Sequence, residues 1–539
     1  MNSSLEEHAV MPAQQIPGVP RWSRMAGALF LAAMFCVNVY RAATQTVTHD
    51  EALTYNWYLA GPLGALFDMS ANNHILHTLL AKVSVTIFGP SELALRLPTL
   101  VGGALSFTAL WMLGVRACRS AIPFFLLLAL VGLNPLFLDF CCVARGYGLA
   151  TAFLLWAMVF ALRATDGAIL ATNEPASRRL WLLCSVALGL SLAANLSLLF
   201  VDAAVAAFLA TSVLRESAKT GAVKTAMRRL WLWLALPGPL IATALWAPLL
   251  INAERGHFYV GWPSWREGAG EFIAASLFHD SCGIRSVADH ERTPYELLGA
   301  GSTSAEVVGW LASVGSILLF VLLAVAVARL TAYVLKHGIS SLDASRRLLL
   351  LASASTLVTL GTYAILNVAR GALYPPDRAI VFLVPLLVLA GVLLPQSASS
   401  GMVRQGLNWV GGSIAAIVIV LSAAGIRTTY FRTWRYNAGT RQMVQAMRAA
   451  APIGDVRVAS HWIYAPTLEF YRSLAVRNNE SDWLRPEQPE AKAGFLIVHP
   501  ADNPRLDETQ WKLTYQDTVS GANLYQRKGQ PATMVRREP

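Results

Sequence analysis

The chain has 539 residues, of which 55% are hydrophobic and only 14% are charged, and its mean hydropathy is +0.47. Ordinary soluble proteins carry about 25% charged residues. A chain this apolar cannot cover a water-facing surface, so the composition excludes a soluble globular enzyme, a disordered scaffold and a disulfide-stapled secreted module. It indicates an integral membrane protein.

The charge and the cysteines fit that class. The net charge is +11, from 43 Lys and Arg against 32 Asp and Glu. In a membrane protein such an excess usually lies in cytoplasmic loops and fixes orientation, so it does not indicate a nucleic-acid partner. The six cysteines form no CxxC pair, which predicts neither a zinc site nor a disulfide framework.

A membrane crossing takes about 20 mostly apolar residues. About eleven apolar runs, with boundaries set to within several residues, predict such spans. The first follows Arg21 and Arg24, ends near Tyr40 and lacks a convincing cleavage site, so we interpret it as an uncleaved anchor with a cytoplasmic N-terminus. The other ten predicted spans are 93–115, 122–138, 149–162, 180–195, 198–214, 230–251, 307–328, 348–366, 380–394 and 410–426.

Basic residues support this orientation. With the N-terminus inside, the Arg and Lys clusters that separate alternate spans all fall on the cytoplasmic side, as the positive-inside rule demands. An odd number of spans places everything after about Arg427 outside. Merging the two runs between 180 and 214 would reverse the side of the C-terminus.

Three regions are predicted to lie outside: the first loop at 42–95, a middle loop at 252–304 and the tail at 428–539. In the first loop, the short apolar stretch 74–88 is typical of a helix that lies in the membrane interface. The middle loop is rich in charge, His and Trp; its Trp262 and Trp265 are interpreted as membrane-belt anchors, with sugar stacking as the alternative.

The tail has an ordinary composition and predicts a small α/β domain. Its aromatic residues are interpreted as the core of that domain, with an acceptor-binding surface as the alternative. We therefore predict two domains, a transmembrane domain over 1–427 and an extracytoplasmic domain over 428–539. The predicted elements of the tail are helices at 440–450 and 466–474 and strands at 456–459, 495–498 and 524–526.

The residues most suggestive of chemistry are His49, Asp50 and Glu51, directly outside the first span. Two carboxylates beside a histidine at a membrane edge can take a proton from a hydroxyl, bind a divalent cation or simply lie in water. The residues alone leave these three readings open.

Further motifs follow in a fixed order on the same predicted side of the membrane. They are NNHILH at 72–77, FGPSELALRLP at 88–98, NPLFLD at 134–139, ARGY at 144–147 and YPPDR at 374–378. Together with the acidic pair, they resemble the GT-C glycosyltransferases, most closely the protein-mannosyltransferase-like branch that includes the lipid A aminoarabinose transferases. The chain departs from those transferases at Asn73-His74, where they typically have Lys-Pro, so a lipid A acceptor is not implied.

The resemblance implies an α-helical polytopic membrane enzyme that moves a sugar from a polyprenyl-phosphate donor to a glycan, lipid or protein acceptor. It implies the bacterial inner membrane and an extracytoplasmic active site. The acid of the first loop acts on the acceptor in such enzymes, so Asp50 is the expected general base, with inversion at the anomeric carbon. Glu51 is the second catalytic candidate, although it could instead orient Asp50 or face away.

The leaving group would be an anionic lipid phosphate, which a guanidinium binds in a bidentate fork. Arg378 and then Arg145 are the candidates, with an interfacial anchor as the alternative for each. Lys82 could reach the phosphate or simply form the polar stripe of its helix. Asp139 is a second acceptor-side acid or a helix-end carboxylate, and His74 and Tyr374 complete the predicted substrate-binding residues.

No metal site is predicted, although His74 and His77 share a helix face and could bind a divalent cation together with Asp50. Arg96 is expected to form an ion pair with Glu92. Two other functions remain as hypotheses. One is a transporter or flippase for a lipid or polar solute. The other is a non-catalytic scaffold that binds a partner through its tail.

Overall fold

The computed structural model describes residues 18–68, 70, 73–166, 175–251, 261–277, 303–398, 400–451, 456–477, 484–486, 493–500, 506–507 and 509–528. Most of them are helical. The α-helices are α1 (Arg21–Thr44), α2 (His49–Thr54), α3 (Ile75–Phe88), α4 (Glu92–Ala117), α5 (Ala121–Gly132), α6 (Pro135–Phe140), α7 (Gly146–Ala164), α8 (Pro175–Ala194), α9 (Leu199–Lys219), α10 (Val223–Leu230), α11 (Pro237–Ile251), α12 (Trp265–Leu277), α13 (Thr303–His337), α14 (Ala344–Arg370), α15 (Leu383–Leu393), α16 (Gly401–Gly425), α17 (Thr440–Ala450) and α18 (Ala465–Arg477).

Nine helical segments among the described residues are long and apolar enough to cross a membrane, and they coincide with nine of the eleven predicted spans. The two runs between 180 and 214 are separate helices, α8 and α9. The fold class is therefore confirmed: the chain is an α-helical polytopic membrane protein with a small C-terminal α/β domain.

The two remaining predicted spans, 122–138 and 380–394, correspond to shorter helices. The first is interrupted because Asn134 caps α6, its side chain accepting a hydrogen bond of 2.9 Å from the backbone N–H of Phe137. Pro135 follows at the first helical position, which suits a helix start. In the second, a 3₁₀ turn at Asp377–Ile380 precedes α15, so this run does not form one long helix.

The predicted interfacial helix is α3, which starts one residue after His74. Its buried residues recur every three or four positions, so one face packs on the protein. Val83, Ile87 and Phe88 on the other side are exposed by more than half, which suits contact with lipid.

Beyond α16 the chain forms a five-stranded sheet with strand order β2-β1-β3-β5-β4. Strand β1 is parallel to both of its neighbours, β2 and β3. Strand β5 is antiparallel to its neighbours β3 and β4. The helices α17 and α18 and three of the strands match the predicted tail elements, whereas β2 and β4 were not predicted. The strands are β1 (Val456–Ser460), β2 (Leu484–Pro486), β3 (Phe495–Val498), β4 (Trp511–Gln516) and β5 (Asn523–Arg527).

A linker between α16 and α17 lies across the first outer loop. The side-chain amide of Gln45 donates to the carbonyl of Tyr430 at 3.2 Å, and the hydroxyl of Thr46 donates to the carbonyl of Ala438 at 2.8 Å. Arg441 of α17 forms an ion pair of 2.6 Å with Glu92 at the start of α4. The C-terminal domain is therefore held directly over the loop that carries Asp50.

Candidate functional site

The start of α2 is a capping box. The Thr48 hydroxyl accepts a hydrogen bond of 3.2 Å from the N–H of Glu51, and the Glu51 carboxylate accepts one of 2.8 Å from the N–H of Thr48. This reciprocal pair turns Glu51 back toward the first span. The neighbouring Asp50 consequently projects in another direction.

Glu51 is fully buried and bound on both oxygens. Arg96 donates to it through Nε at 2.8 Å and Nη2 at 2.7 Å, and the backbone N–H of Ala144 donates at 2.6 Å. The same guanidinium also donates to the carbonyls of Ala42, Gln45 and Thr46. Four hydrogen bonds occupy both carboxylate oxygens inside the protein, so we infer a structural role for Glu51 in preference to the predicted catalytic one.

The predicted ion pair between Arg96 and Glu92 is wrong. Arg96 has no exposed surface and binds Glu51 instead. Glu92 accepts hydrogen bonds from Arg441 and, at 3.0 Å, from the hydroxyl of Tyr471. Glu92 and Arg96 are four residues apart on one helix, so their spacing predicted a local pair. The buried guanidinium of Arg96 instead needs acceptors for its N–H groups, which Glu51 and the three carbonyls supply.

Asp50 lies in a partly open and strongly positive environment. Its side chain is 18% exposed, and its Oδ2 is 3.8 Å from Nη2 of Arg145. Burial raises the pKa of Asp50, but the charges of Arg145, Arg378 and His49 and a hydrogen bond from the Trp434 side chain outweigh that effect and lower it. Asp50 is therefore ionised at neutral pH.

Arg378 is the second charged group of this site. It lies in the 3₁₀ turn Asp377–Ile380, and its own N–H donates to the Asp377 carboxylate at 2.7 Å. Its charge acts on Asp50, Tyr147 and Tyr436. Within the described part of the chain, its half-buried guanidinium makes no hydrogen bond and no ion pair. Asp50, Arg145 and Arg378, predicted from separate motifs, are thus brought to one place.

His74 lies against the same group, at the N-terminal end of α3. Its ring contacts that of Tyr147 edge to face at 4.7 Å between centroids, and its Nδ1 is 3.2 Å from the carbonyl of Ala194. Burial, and then the charge of Arg145, holds the pKa of His74 well below its usual range. The imidazole is therefore neutral, and its buried Nε2 has no hydrogen-bond partner among the described residues.

Two further predicted substrate ligands have other partners. Asp139 is buried, forms an ion pair with Arg41 and accepts a hydrogen bond of 2.9 Å from the N–H of Arg432. Lys82 donates to the carbonyls of Leu59 and Gly61 at 2.6 and 3.1 Å. These partners favour structural roles: Asp139 joins α1, α6 and the C-terminal linker, and Lys82 caps the end of a turn in the first loop. Substrate binding by either residue stays a prediction.

Tyr374 lies beside an apolar cavity of about 220 Å³. It forms an antiparallel bridge with Trp262, and its ring contacts that of Trp265 at 5.8 Å. The two tryptophans predicted as membrane anchors therefore pack against the segment that leads to Arg378. The cavity is bounded by residues of α12–α15, among them Phe272, Leu319, Leu360, Tyr363, Ile380 and Leu387.

The C-terminal linker supplies residues that the sequence did not assign to the site. Trp434 is buried, bonds to Asp50 and contacts Phe140 edge to face at 6.0 Å. Tyr436 lies near both Asp50 and Arg378. Trp434 and Tyr436 belong to the aromatic residues of the tail for which the sequence predicts a domain core, with an acceptor-binding surface as the alternative.

The donor set favours an anion over a metal ion. In the described part of the chain, no group of three or more His, Cys, Asp or Glu side chains could hold a metal ion. The positive charges of Arg145 and Arg378 both act on Asp50, and they oppose the binding of a further cation there. Most of the charged residues of the predicted middle loop, including 254–259, lie outside the described residues.

No family model and no curated protein matches the sequence. The fold is similar to ArnT from Cupriavidus metallidurans bound to undecaprenyl phosphate, with 14% identity over 94% of this chain and 98% of that one and a TM-score of 0.39. It is also similar to the Archaeoglobus fulgidus oligosaccharyltransferase in the apo form, with 10% identity over 89% and 70% of the two chains and a TM-score of 0.41.

A further similarity is to the Archaeoglobus fulgidus oligosaccharyltransferase AglB in complex with an inhibitory peptide and a dolichol-phosphate, with 11% identity over 84% and 64% of the two chains and a TM-score of 0.38. These similarities concern the layout of the chain, and the function proposed below rests on the geometry of the site.

Proposed function

We propose that the chain is an integral-membrane glycosyltransferase of the GT-C type. It transfers a sugar from a polyprenyl-phosphate donor to an acceptor hydroxyl, with inversion and with Asp50 as general base. The observation that carries the proposal is the convergence of an ionised carboxylate and an arginine without an ion pair in one partly open site. A base and an anion-binding cation are the two groups that such a transfer requires.

The leaving phosphate is assigned to Arg378 and Arg145. The guanidinium of Arg378 has its donors available, whereas Arg145 already lies 3.8 Å from Asp50. Arg145 is also the N-cap residue of α7, so the positive end of a 19-residue helix lies beside it. Fixed positive charge at this point stabilises the negative charge that develops on the departing phosphate.

The lipid part of the donor is assigned to the apolar cavity. Tyr374 and Pro375, which line it, precede the turn that carries Arg378, and Ile380, which also lines it, is the last residue of that turn. An isoprenoid chain in that cavity would place its phosphate next to the arginine. The isoprenoid chain would enter this cavity from the bilayer and not from water, so packing against the lining residues and the phosphate contact, and not the hydrophobic effect, would supply the donor affinity.

Asp50 then takes the proton of the acceptor hydroxyl as its oxygen attacks the anomeric carbon. The attacking oxygen enters opposite the phosphate that leaves, so the configuration at that carbon inverts. In the neutral His74, the Nδ1–H donates to the Ala194 carbonyl, so the Nε2 can accept one hydrogen bond from a substrate hydroxyl without adding charge. No step in this scheme requires a metal ion.

We place the protein in a bacterial inner membrane, with a cytoplasmic N-terminus and an extracytoplasmic C-terminal domain. The basic residues between alternate spans support this orientation. The site at the outer ends of α1, α4 and α7 then faces the compartment that holds envelope glycans, lipids and exported proteins.

The test is sugar transfer from extracted polyprenyl-phosphate sugars in membranes that contain the Asp50→Asn variant. Loss of the base should lower turnover by about 10²–10⁴-fold while carrier binding persists. The matched control is Asp507→Asn, the same chemical change at an exposed acid of the C-terminal domain. Full turnover by Asp50→Asn at normal expression would contradict the proposal, and solute or lipid movement without sugar transfer would favour a transporter.

A further inference from the structure

The small sheet of the C-terminal domain has a point at which its chain order reverses. β1 lies between β2 and β3 and is parallel to both. The chain leaves β1 toward β2 on one side and later returns to β3 on the other. Loops diverge at such a point and leave a crevice outside the carboxyl ends of the strands, where ligands of open α/β sheets bind.

Ring-bearing residues occupy this crevice. His461 directly follows β1 and His499 directly follows β3, and their ring centroids are 6.0 Å apart. The ring of Trp462 lies 5.5 Å from His461, and Tyr464 lies 6.1 Å from His499. His499 and Tyr464 are buried, so the accessible rings of this group are those of Trp462 and His461. The crevice therefore offers one flat apolar surface beside an imidazole.

Trp462 differs from the other aromatic residues of the tail. It is 60% exposed, whereas Trp434, Tyr436, Tyr464, Phe470 and Tyr471 are all buried. Its ring is held edge to face against His49 at 5.6 Å and an interplanar angle of 89°. An indole fixed in this way presents its surface to solvent instead of to the core.

The crevice adjoins the reaction site. Nδ1 of His49 is 2.9 Å from the carbonyl of Ile463, and the N–H of His49 donates to the Asn437 side chain at 2.8 Å. His49 is the residue before Asp50 in the sequence. A molecule stacked on Trp462 is therefore within reach of the proposed base.

We propose that this crevice is a subsite for the acceptor and that it binds a sugar ring, with Trp462 as the stacking surface and His461 as a hydrogen-bonding neighbour. The proposal rests on the proposed function and makes the acceptor a carbohydrate. The apolar C–H face of a pyranose fits an indole, and imidazole nitrogen atoms bind its hydroxyl groups. A peptide added as a strand would need an unpaired sheet edge, whereas β1 and β3 are interior strands.

The test is saturation-transfer NMR on the full chain in lipid nanodiscs, with cellobiose as the probe and the open-chain alcohol sorbitol as its control. Saturation should reach the protons on the apolar ring face of cellobiose and not those of sorbitol. Trp462→Ala should weaken cellobiose binding about 3- to 10-fold, and Trp462→Phe should retain most of it. The matched control is Trp409→Ala, which removes a 72% exposed indole from α16.

Equal binding of cellobiose by Trp462→Ala and the unmodified chain would overturn the proposal. Quenching of Trp462 fluorescence by brominated lipid, in a variant whose other exposed tryptophans are phenylalanine, would also overturn it and assign the residue to the membrane. The NMR measurement needs no donor, so it separates the two proposals. If Asp50→Asn leaves sugar transfer intact while cellobiose binding depends on Trp462, the proposed general base fails and the subsite stands.

Discussion

Asp50 and Glu51 are neighbours with opposite environments. Glu51 is enclosed by Arg96, Ala144 and Thr48, whereas Asp50 is partly open and faces two arginines that it does not share with Glu51. Consecutive residues of a helix point about 100° apart, and the capping box fixes which of them turns inward. One adjacent pair of acids therefore divides into an enclosed group, Glu51, and the proposed base, Asp50.

Glu51→Gln should destabilise the protein instead of slowing a chemical step. The substitution leaves the buried Arg96 without its counter-charge, and breaking such a pair costs about 3–5 kcal/mol. We expect a lower yield of folded protein and a lower Tm, measured in detergent by thermal unfolding. Asp50→Asn should change the Tm little, and an unchanged Tm with lost turnover in Glu51→Gln would contradict this assignment.

The sequence could identify the residues of the site but not all of their partners. Asp50, Arg145 and Arg378 were found because each follows or precedes an apolar run on the same predicted side. The hydrogen bond from Trp434 joins residues 384 positions apart, and the linker that carries it has no apolar pattern to place it. Arg96 was paired with the wrong acid because sequence spacing shows local neighbours and not burial.

At the scale of single elements, the start of α7 depends on two close backbone approaches. A Cβ atom on Gly148 would lie 1.9 Å from the carbonyl oxygen of Phe140, and one on Gly146 would lie 2.1 Å from that of Ala194. These contacts hold α7 against α6 and α8. They also fix Arg145 and Tyr147 beside Asp50 and Arg378.

Gly148→Ala should displace the start of α7 and lower both stability and sugar transfer. The new methyl group would meet backbone and not a flexible side chain, so the helix itself must shift. Gly361→Ala in α14 is the control, because a Cβ there meets nothing within 4 Å. Thermal unfolding and transfer assays should separate the two variants, and equal behaviour of both would contradict the close-packing account.

A buried charge cluster links the C-terminal linker to the turn that carries Arg378. Arg432 lies 3.3 Å from Glu271 of α12 and 3.4 Å from Asp377, the residue before Arg378. Burial raises the pKa of Glu271 from its usual 4.5 to about 7, although Arg432 acts in the opposite direction. Arg432 thus holds together three segments that are distant in the sequence: the C-terminal linker, α12 and the turn Asp377–Ile380.

This cluster predicts a pH dependence of stability. Glu271 binds its proton more tightly in the folded protein than in the unfolded chain. Its contribution to the free energy of unfolding is therefore fully present below about pH 4.5 and is lost as the pH rises through about 7. The Tm should therefore fall less between pH 5.5 and 8 in Glu271→Gln than in the unmodified chain. Parallel pH profiles of the two proteins would show that Glu271 does not titrate in this range.

At the scale of the whole molecule, the C-terminal domain completes the membrane site. The domain holds the first outer loop through Arg441 and Tyr471, and its linker contributes Trp434 to Asp50. The sequence predicted both parts from composition, because apolar runs and alternating strands are local patterns. It could not predict how they dock, since the contacts between residues 42–51 and 430–471 are long-range.

In the sheet, too, only the strands with a local apolar pattern could be predicted from the sequence. The apolar stretches of β1, β3 and β5 were predicted, whereas β4, with Lys512, Thr514 and Gln516, was not. Only one of its residues is buried, so little hydrophobic pattern marks it as a strand. Its pairing with β5 determines its structure more than its own side chains do.

The most direct test of the central claim is an experimental structure of the full chain in nanodiscs with a polyprenyl phosphate bound. We expect phosphate oxygens about 2.7–2.9 Å from the Arg378 guanidinium, an isoprenoid chain in the apolar cavity, and Asp50 open to the same space. A phosphate bound elsewhere, with packed helices between it and Asp50, would contradict that claim.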